Sequence, residues 1–127
     1  MKLIFGMLLT LVLALPIQAT HLYSKSSYQN AYCSQIPNVQ VNYVTNKKTY
    51  VDCLTDSHVI EFVFAPKYAK GLGKALINSF LTGKKSRIVL IVENPEKERK
   101  YIENLTGPAM LHGAEVEIIT PKIFNLF

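Results

Sequence analysis

The run His-Val-Ile-Glu-Phe-Val-Phe, at residues 58–64, decides how this chain folds. Every residue from 59 to 64 except Glu61 is apolar and β-prone, which predicts a strand buried on both faces. An ionised carboxylate in such a strand is costly unless a positive group lies beside it. Nine residues earlier, Asp52 interrupts a second β-type run, Tyr-Val-Asp-Cys-Leu at residues 50–54. Two interior carboxylates on consecutive strands suggest that they share a cation.

A second continuous apolar run, at residues 88–92, predicts another buried strand. Between the two runs, residues 67–81 carry apolar side chains at helical spacing, and Gly83 follows as the stop signal. A buried strand, an amphipathic helix and a second buried strand predict a right-handed crossover. We therefore expect both strands to be central in one sheet, with the helix crossing between them.

The rest of the chain supplies shorter elements on either side of this unit. The patterns predict a short helix over residues 26–34, strands over residues 39–44, 49–54 and 115–119, and a charged helix over residues 95–105. The resulting order is α-β-β-β-α-β-α-β. It predicts an α/β fold with a mixed sheet and flanking helices.

The first nineteen residues have the pattern of a secretory signal peptide. Lys2 provides the positive start, residues 3–15 are uncharged and apolar, and Ala19 offers a cleavage position after Pro16. The alternative is an uncleaved anchor, but thirteen apolar residues are fewer than the ~20 that span a bilayer. We expect a periplasmic or secreted bacterial product of residues 20–127, one domain with no membrane association after cleavage.

The chain has two cysteines, Cys33 and Cys53, and both lie in the part expected to be exported. An even number of cysteines in an oxidising compartment predicts one disulfide bond. It would close a twenty-residue loop and stabilise the fold by ~3 kcal/mol. The spacing is not that of a zinc site.

Positive charge is concentrated in one segment of the sequence. Residues 67–87 contain no acidic residue and six basic ones, namely Lys67, Lys70, Lys74, Lys84, Lys85 and Arg87. Such a cluster favours anionic partners such as nucleic acid or lipid headgroups. The alternative is a solvated helix face followed by a basic turn.

The order of elements, with Asp52 on the second strand and Glu61 on the third, resembles the PD-(D/E)XK nuclease superfamily. The stretches Asp-Cys-Leu-Thr-Asp at residues 52–56 and Thr-Gly-Lys-Lys at residues 82–85 are similar to those of a group of small bacterial proteins with this fold. The resemblance covers roughly residues 33–105. It implies an αβββαβ core of the restriction-endonuclease-like type.

The resemblance also implies a catalytic site. Asp52 and Glu61 match the positions that hold Mg²⁺, which prefers oxygen ligands and activates a bound water. Lys67 is the candidate for positioning that water. The third position of the motif is Val63, which lies on the same face as Glu61 and can neither bind metal nor transfer a proton. Relatives resemble a Gln-x-x-x-Tyr arrangement on the following helix, and this chain has Lys74 and Asn78 there.

Two hypotheses about function follow from these residues. In the first, the protein is an exported nuclease or phosphodiesterase that uses Mg²⁺ at Asp52 and Glu61, with Lys67 as the third catalytic residue. In the second, Lys67 or Lys70 neutralises the carboxylates and no catalysis remains. A basic face formed by Lys70, Lys74, Lys84 and Lys85 then binds nucleic acid or a protein partner.

Overall fold

The structure is a computed structural model that describes residues 20–125. The signal peptide predicted at residues 1–19 and the last two residues of the chain lie outside the described residues. Within residues 20–125, no helix is both long and apolar enough to cross a bilayer.

One mixed five-stranded sheet organises the chain, in the spatial order β1-β2-β3-β4-β5. The strands are β1 (Gln40–Val44), β2 (Tyr50–Leu54), β3 (His58–Phe64), β4 (Lys85–Ile91) and β5 (Glu115–Ile119). The first three strands pair antiparallel, and β3, β4 and β5 pair parallel. Since β3 and β4 each have a neighbour on both sides, the prediction that the two apolar runs form central strands is confirmed.

Helices flank the sheet, as the predicted α/β class requires. They are α1 (Lys25–Cys33), α2 (Tyr68–Thr82) and α3 (Pro95–Leu111), with short 3₁₀ turns at Ala65–Lys67 and Pro121–Asn125. The helices α2 and α3 pack on one face of the sheet and enclose one apolar cluster. The helix α1 and the last 3₁₀ turn pack on the other face and enclose a second cluster. Gly83 ends α2 with a left-handed φ of 70°, which glycine adopts without steric cost.

The helix α3 is longer than the sequence indicated, and the prediction that it ends at residue 105 was wrong. Gly107 and Pro108 are poor helix formers, yet the helix continues to Leu111 with the proline inside it. Leu105 and Ala109, one helical turn apart, are both fully buried in the cluster shared with α2. Packing of this edge against the sheet therefore overrides the weak local helix propensity.

The disulfide bond between Cys33 and Cys53 is present and joins the end of α1 to β2. Both residues are fully buried in the cluster between α1 and the sheet, together with Tyr28 and Ile60. The prediction of one disulfide is confirmed. The bond fixes α1 across the strand that carries Asp52.

The helix α2 lies very close to β3 at Gly71. A Cβ atom added there would lie 2.5 Å from Cγ1 of Val63 and 2.9 Å from its Cβ. Gly73, on the same helix, has no atom within 4 Å of the corresponding position. The distance between helix and strand therefore depends on the absence of a side chain at residue 71.

We predict that Gly71→Ala lowers the free energy of unfolding by about 1–3 kcal/mol, because the new methyl group overlaps Val63. The control is Gly73→Ala, which should be neutral or stabilising by about 0.5–1 kcal/mol because a helical glycine is replaced in open space. Urea denaturation of both variants measures the difference. Equal effects in the two variants would contradict the close approach.

Candidate functional site

The pairing of β1 with β2 is interrupted opposite Asp52, where Asn42 has a left-handed φ of 56°. The carbonyl oxygen of Asp52 accepts a hydrogen bond of 2.8 Å from Nε2 of Gln29 on α1, and the same nitrogen contacts Oδ1 of Asn42 at 3.1 Å. The side-chain oxygen Oδ2 of Asp52 accepts a hydrogen bond of 2.9 Å from the backbone N–H of Phe62 in β3. The Asp52 carboxylate therefore lies directly beside β3.

Glu61 lies at the centre of β3 and is fully buried. Its Oε1 accepts a hydrogen bond of 2.8 Å from Nδ2 of Asn78, a fully buried residue of α2. Asn78 is held in turn, since Nδ2 donates to the carbonyl of Tyr50 and Oδ1 accepts from the hydroxyl of Thr49. Asn78 therefore fixes the orientation of the Glu61 carboxylate.

One cation, the ammonium group of Lys74, lies between the two carboxylates. Its Nζ is 3.3 Å from Oδ1 of Asp52 and 3.2 Å from Oε2 of Glu61. Lys25, at the start of α1, adds a second ion pair of 2.9 Å to Oδ2 of Asp52. The neutralising groups are thus Lys74 and Lys25, in place of the Lys67 or Lys70 that the sequence had suggested.

Lys67, which ends the 3₁₀ turn before α2, and Lys70, in the first turn of α2, lie beside the same region. Together with Lys25 and Lys74 they line a cavity of about 220 Å³, with Glu61 and the end of β3 among the other walls. We call this space the lysine cavity. Within residues 20–125, neither Lys67 nor Lys70 has a carboxylate within 4 Å. The cavity therefore carries an excess of positive charge.

Lys84 and Lys85 lie at the other end of α2, a helix of 15 residues that spans about 20 Å. Nζ of Lys84 donates to the carbonyl oxygens of Thr55 and Asp56 and so holds the turn between β2 and β3. Lys85 begins β4 and is exposed. The basic set predicted to bind nucleic acid is therefore divided, with Lys70 and Lys74 at the lysine cavity and Lys84 and Lys85 away from it.

Burial and the neighbouring charge of Asp52 raise the pKa of Glu61 to about 7. Lys74 and Asn78 act in the opposite direction, because both contact the carboxylate and stabilise its charged form. For Lys74, burial lowers the pKa, but the attraction of Glu61 and Asp52 outweighs it, so that the net shift is upward. Lys74 therefore remains a cation at neutral pH.

The residues present do not fit a divalent metal ion. Lys25 and Lys74 contact the carboxylate oxygens that Mg²⁺ would need, and an ammonium group at that place repels a second cation. In the described part of the chain, no three His, Cys, Asp or Glu side chains form a group that could hold an ion. Val63, two residues after Glu61, is apolar and packs on Gly71.

Comparison with known protein families, characterised proteins and solved structures finds no match for this chain. The resemblance to PD-(D/E)XK nucleases therefore depends on the sequence stretches quoted above and on the order of elements. The site has to be interpreted from its own geometry.

Three residues of this site, Lys25, Gln29 and Asn42, were not predicted from the sequence. They lie on α1 and β1, remote in sequence from Glu61, and no local pattern marks them. Asn78 did give a signal. It is a polar residue four positions after Lys74, which places both on the same side of α2.

The raised pKa of Glu61 predicts a pH dependence of stability. A carboxyl group with pKa 4.5 in the unfolded chain and about 7 in the folded one binds more protons in the native state. Its contribution to stability is therefore lost as the pH rises through that range. Between about pH 5 and pH 8, we expect the free energy of unfolding of the wild type to fall by on the order of 1–3 kcal/mol relative to that of Glu61→Gln. Urea denaturation of both proteins at the two pH values tests this expectation. A difference independent of pH would refute it.

Proposed function

We propose that this chain is an exported, non-catalytic relative of the PD-(D/E)XK nucleases that binds phosphate groups of nucleic acid at the lysine cavity. The observation that carries the proposal is the position of Lys74, whose ammonium group lies within 3.3 Å of both carboxylates. The disulfide supports export, since such bonds persist in oxidising compartments.

The absence of catalysis follows from what Lys74 does to the two acidic residues. Metal-assisted hydrolysis needs carboxylates that are free to hold the ion and a water that the ion activates. Here Asp52 is paired with two lysines, and Glu61 is held by Lys74 and Asn78. The carboxylates therefore serve to position Lys74 and Lys25, and they have no free oxygen pair for a metal.

Binding of phosphate follows from the lysines that the carboxylates do not neutralise. Lys67 and Lys70 are exposed, lie one helical turn apart and face the lysine cavity at the start of α2. Lysine ammonium groups bind phosphate as compact point charges, without the geometric selectivity of arginine. We therefore expect binding that depends strongly on salt and only weakly on base sequence.

The test is fluorescence anisotropy with labelled DNA and RNA strands at 50 mM and 200 mM salt. We predict that Lys67→Ala and Lys70→Ala each weaken binding about fivefold, equally for all sequences, and each reduce the salt slope by about 1. Lys85→Ala is the matched control, because it removes an exposed lysine that does not line the cavity. An equal loss in the control would show diffuse attraction and not binding at the cavity.

The same strands test whether catalysis is absent. Incubation with Mg²⁺ or Mn²⁺ should leave them intact, because Lys74 holds the place of the ion. Cleavage that depends on metal and disappears in Glu61→Ala would overturn the proposal. It would mean that Lys74 moves out of the site when a metal enters.

A further inference from the structure

A single buried atom at the floor of the lysine cavity has no hydrogen-bond donor. In the described part of the chain, Oε2 of Glu61 is the one buried side-chain oxygen or nitrogen without a hydrogen bond. Nζ of Lys74 is 3.2 Å away and forms an ion pair with Oε2, but outside the geometry of a hydrogen bond. A buried carboxylate oxygen left without a donor is costly, and such atoms usually mark a missing partner.

The position of this atom shows what kind of partner it lacks. Glu61 and Lys74 both line the lysine cavity, so a group bound there lies next to Oε2. Above its pKa of about 7 the Glu61 carboxyl is ionised and only accepts hydrogen bonds, so at about pH 8 the partner has to donate one. The same partner has to be an anion, because Lys25, Lys67, Lys70 and Lys74 surround the cavity and exceed the charges of Asp52 and Glu61 by two.

We propose that the lysine cavity selects a phosphoryl group that retains a hydroxyl, which donates to Oε2 of Glu61 while the other oxygens accept from the lysines. This inference rests on the proposed binding of phosphate at the cavity and specifies its ligand. Hydrogen phosphate has both features, and its two negative charges match the excess of positive charge. A terminal phosphate of a nucleic-acid strand meets the same requirement by taking up one proton, since its second pKa lies near 6.

Two related anions lack the donor. A phosphodiester inside a strand has no hydroxyl on phosphorus, so it leaves Oε2 without a partner. Sulfate has nearly the size, shape and charge of hydrogen phosphate but carries no proton at neutral pH. We therefore expect that a single hydrogen atom on the ligand determines the preference of the cavity for hydrogen phosphate over sulfate.

The experiment compares inorganic phosphate with sulfate at about pH 8 and equal ionic strength, by isothermal titration calorimetry. We expect phosphate to bind about tenfold or more tightly than sulfate, the effect of a hydrogen bond to a charged group. Glu61→Gln should remove the preference or reverse it. Asn78 keeps an oxygen at the Oε1 position, so the amide NH₂ of the glutamine takes the place of Oε2 and becomes a donor.

Lys70→Ala is the matched control for charge, because it should weaken the binding of both anions to the same extent and leave the ratio of their affinities unchanged. Equal affinities of phosphate and sulfate in the wild type would overturn the proposal, whether or not the Glu61→Gln variant folds. That result would leave the proposed function intact if nucleic-acid binding still depends on Lys67 and Lys70. Loss of that dependence, with the anion preference kept, would instead reject nucleic acid as the ligand.

A strand with a 5′-phosphate, compared with the same strand ending in a 5′-hydroxyl, distinguishes the two sources of the group. Tighter binding of the phosphorylated strand, with competition by phosphate and not by sulfate, assigns the site to strand ends. Equal binding of the two strands, with phosphate still preferred over sulfate, assigns it to free phosphate. Competition by sulfate as strong as that by phosphate would contradict the proposal in either case.

Discussion

The burial of one carboxylate, that of Glu61, is the constraint on which the rest of the structure depends. A charge at the centre of a sheet has to be compensated, and here Asn78 and Lys74 do so from the same helix. Buried ion pairs add little to stability on balance, but removal of one partner leaves an uncompensated charge and is strongly destabilising. The pairing therefore fixes how α2 lies on β3, since a rotation or shift of the helix would separate both contacts at once.

The same packing of α2 on β3 determines which side chain fits at residue 63. Val63 points to the same face as Glu61 and lies against Gly71, where a Cβ atom would be only 2.5 Å from it. A lysine placed at residue 63 would therefore meet the helix at Gly71, and a long polar side chain at this position would require a change in packing.

The sequence predicts those parts of the fold that local patterns and composition determine. The apolar runs of β3 and β4, the helical spacing between them and the pair of cysteines each carry their own signal, and the structure confirms all three. The extent of α3 could not be predicted, because burial of Ala109 decides it against the signal of Pro108. At the site, Asp52 and Glu61 stood out as charges in apolar runs. Lys25 and Gln29 gave no signal, because they meet these residues only through the packing of α1, whose end the disulfide bond ties to β2.

The interruption at Asn42 has a second consequence, for the behaviour of the protein in concentrated solution. The strand β1 is at the border of the sheet, and an exposed border strand is a template on which another molecule can add its own strand. A residue with left-handed φ in the middle of so short a strand breaks the regular row of backbone donors and acceptors. The break in the backbone of β1 at Asn42 thus also makes this border a poor template for the addition of a strand.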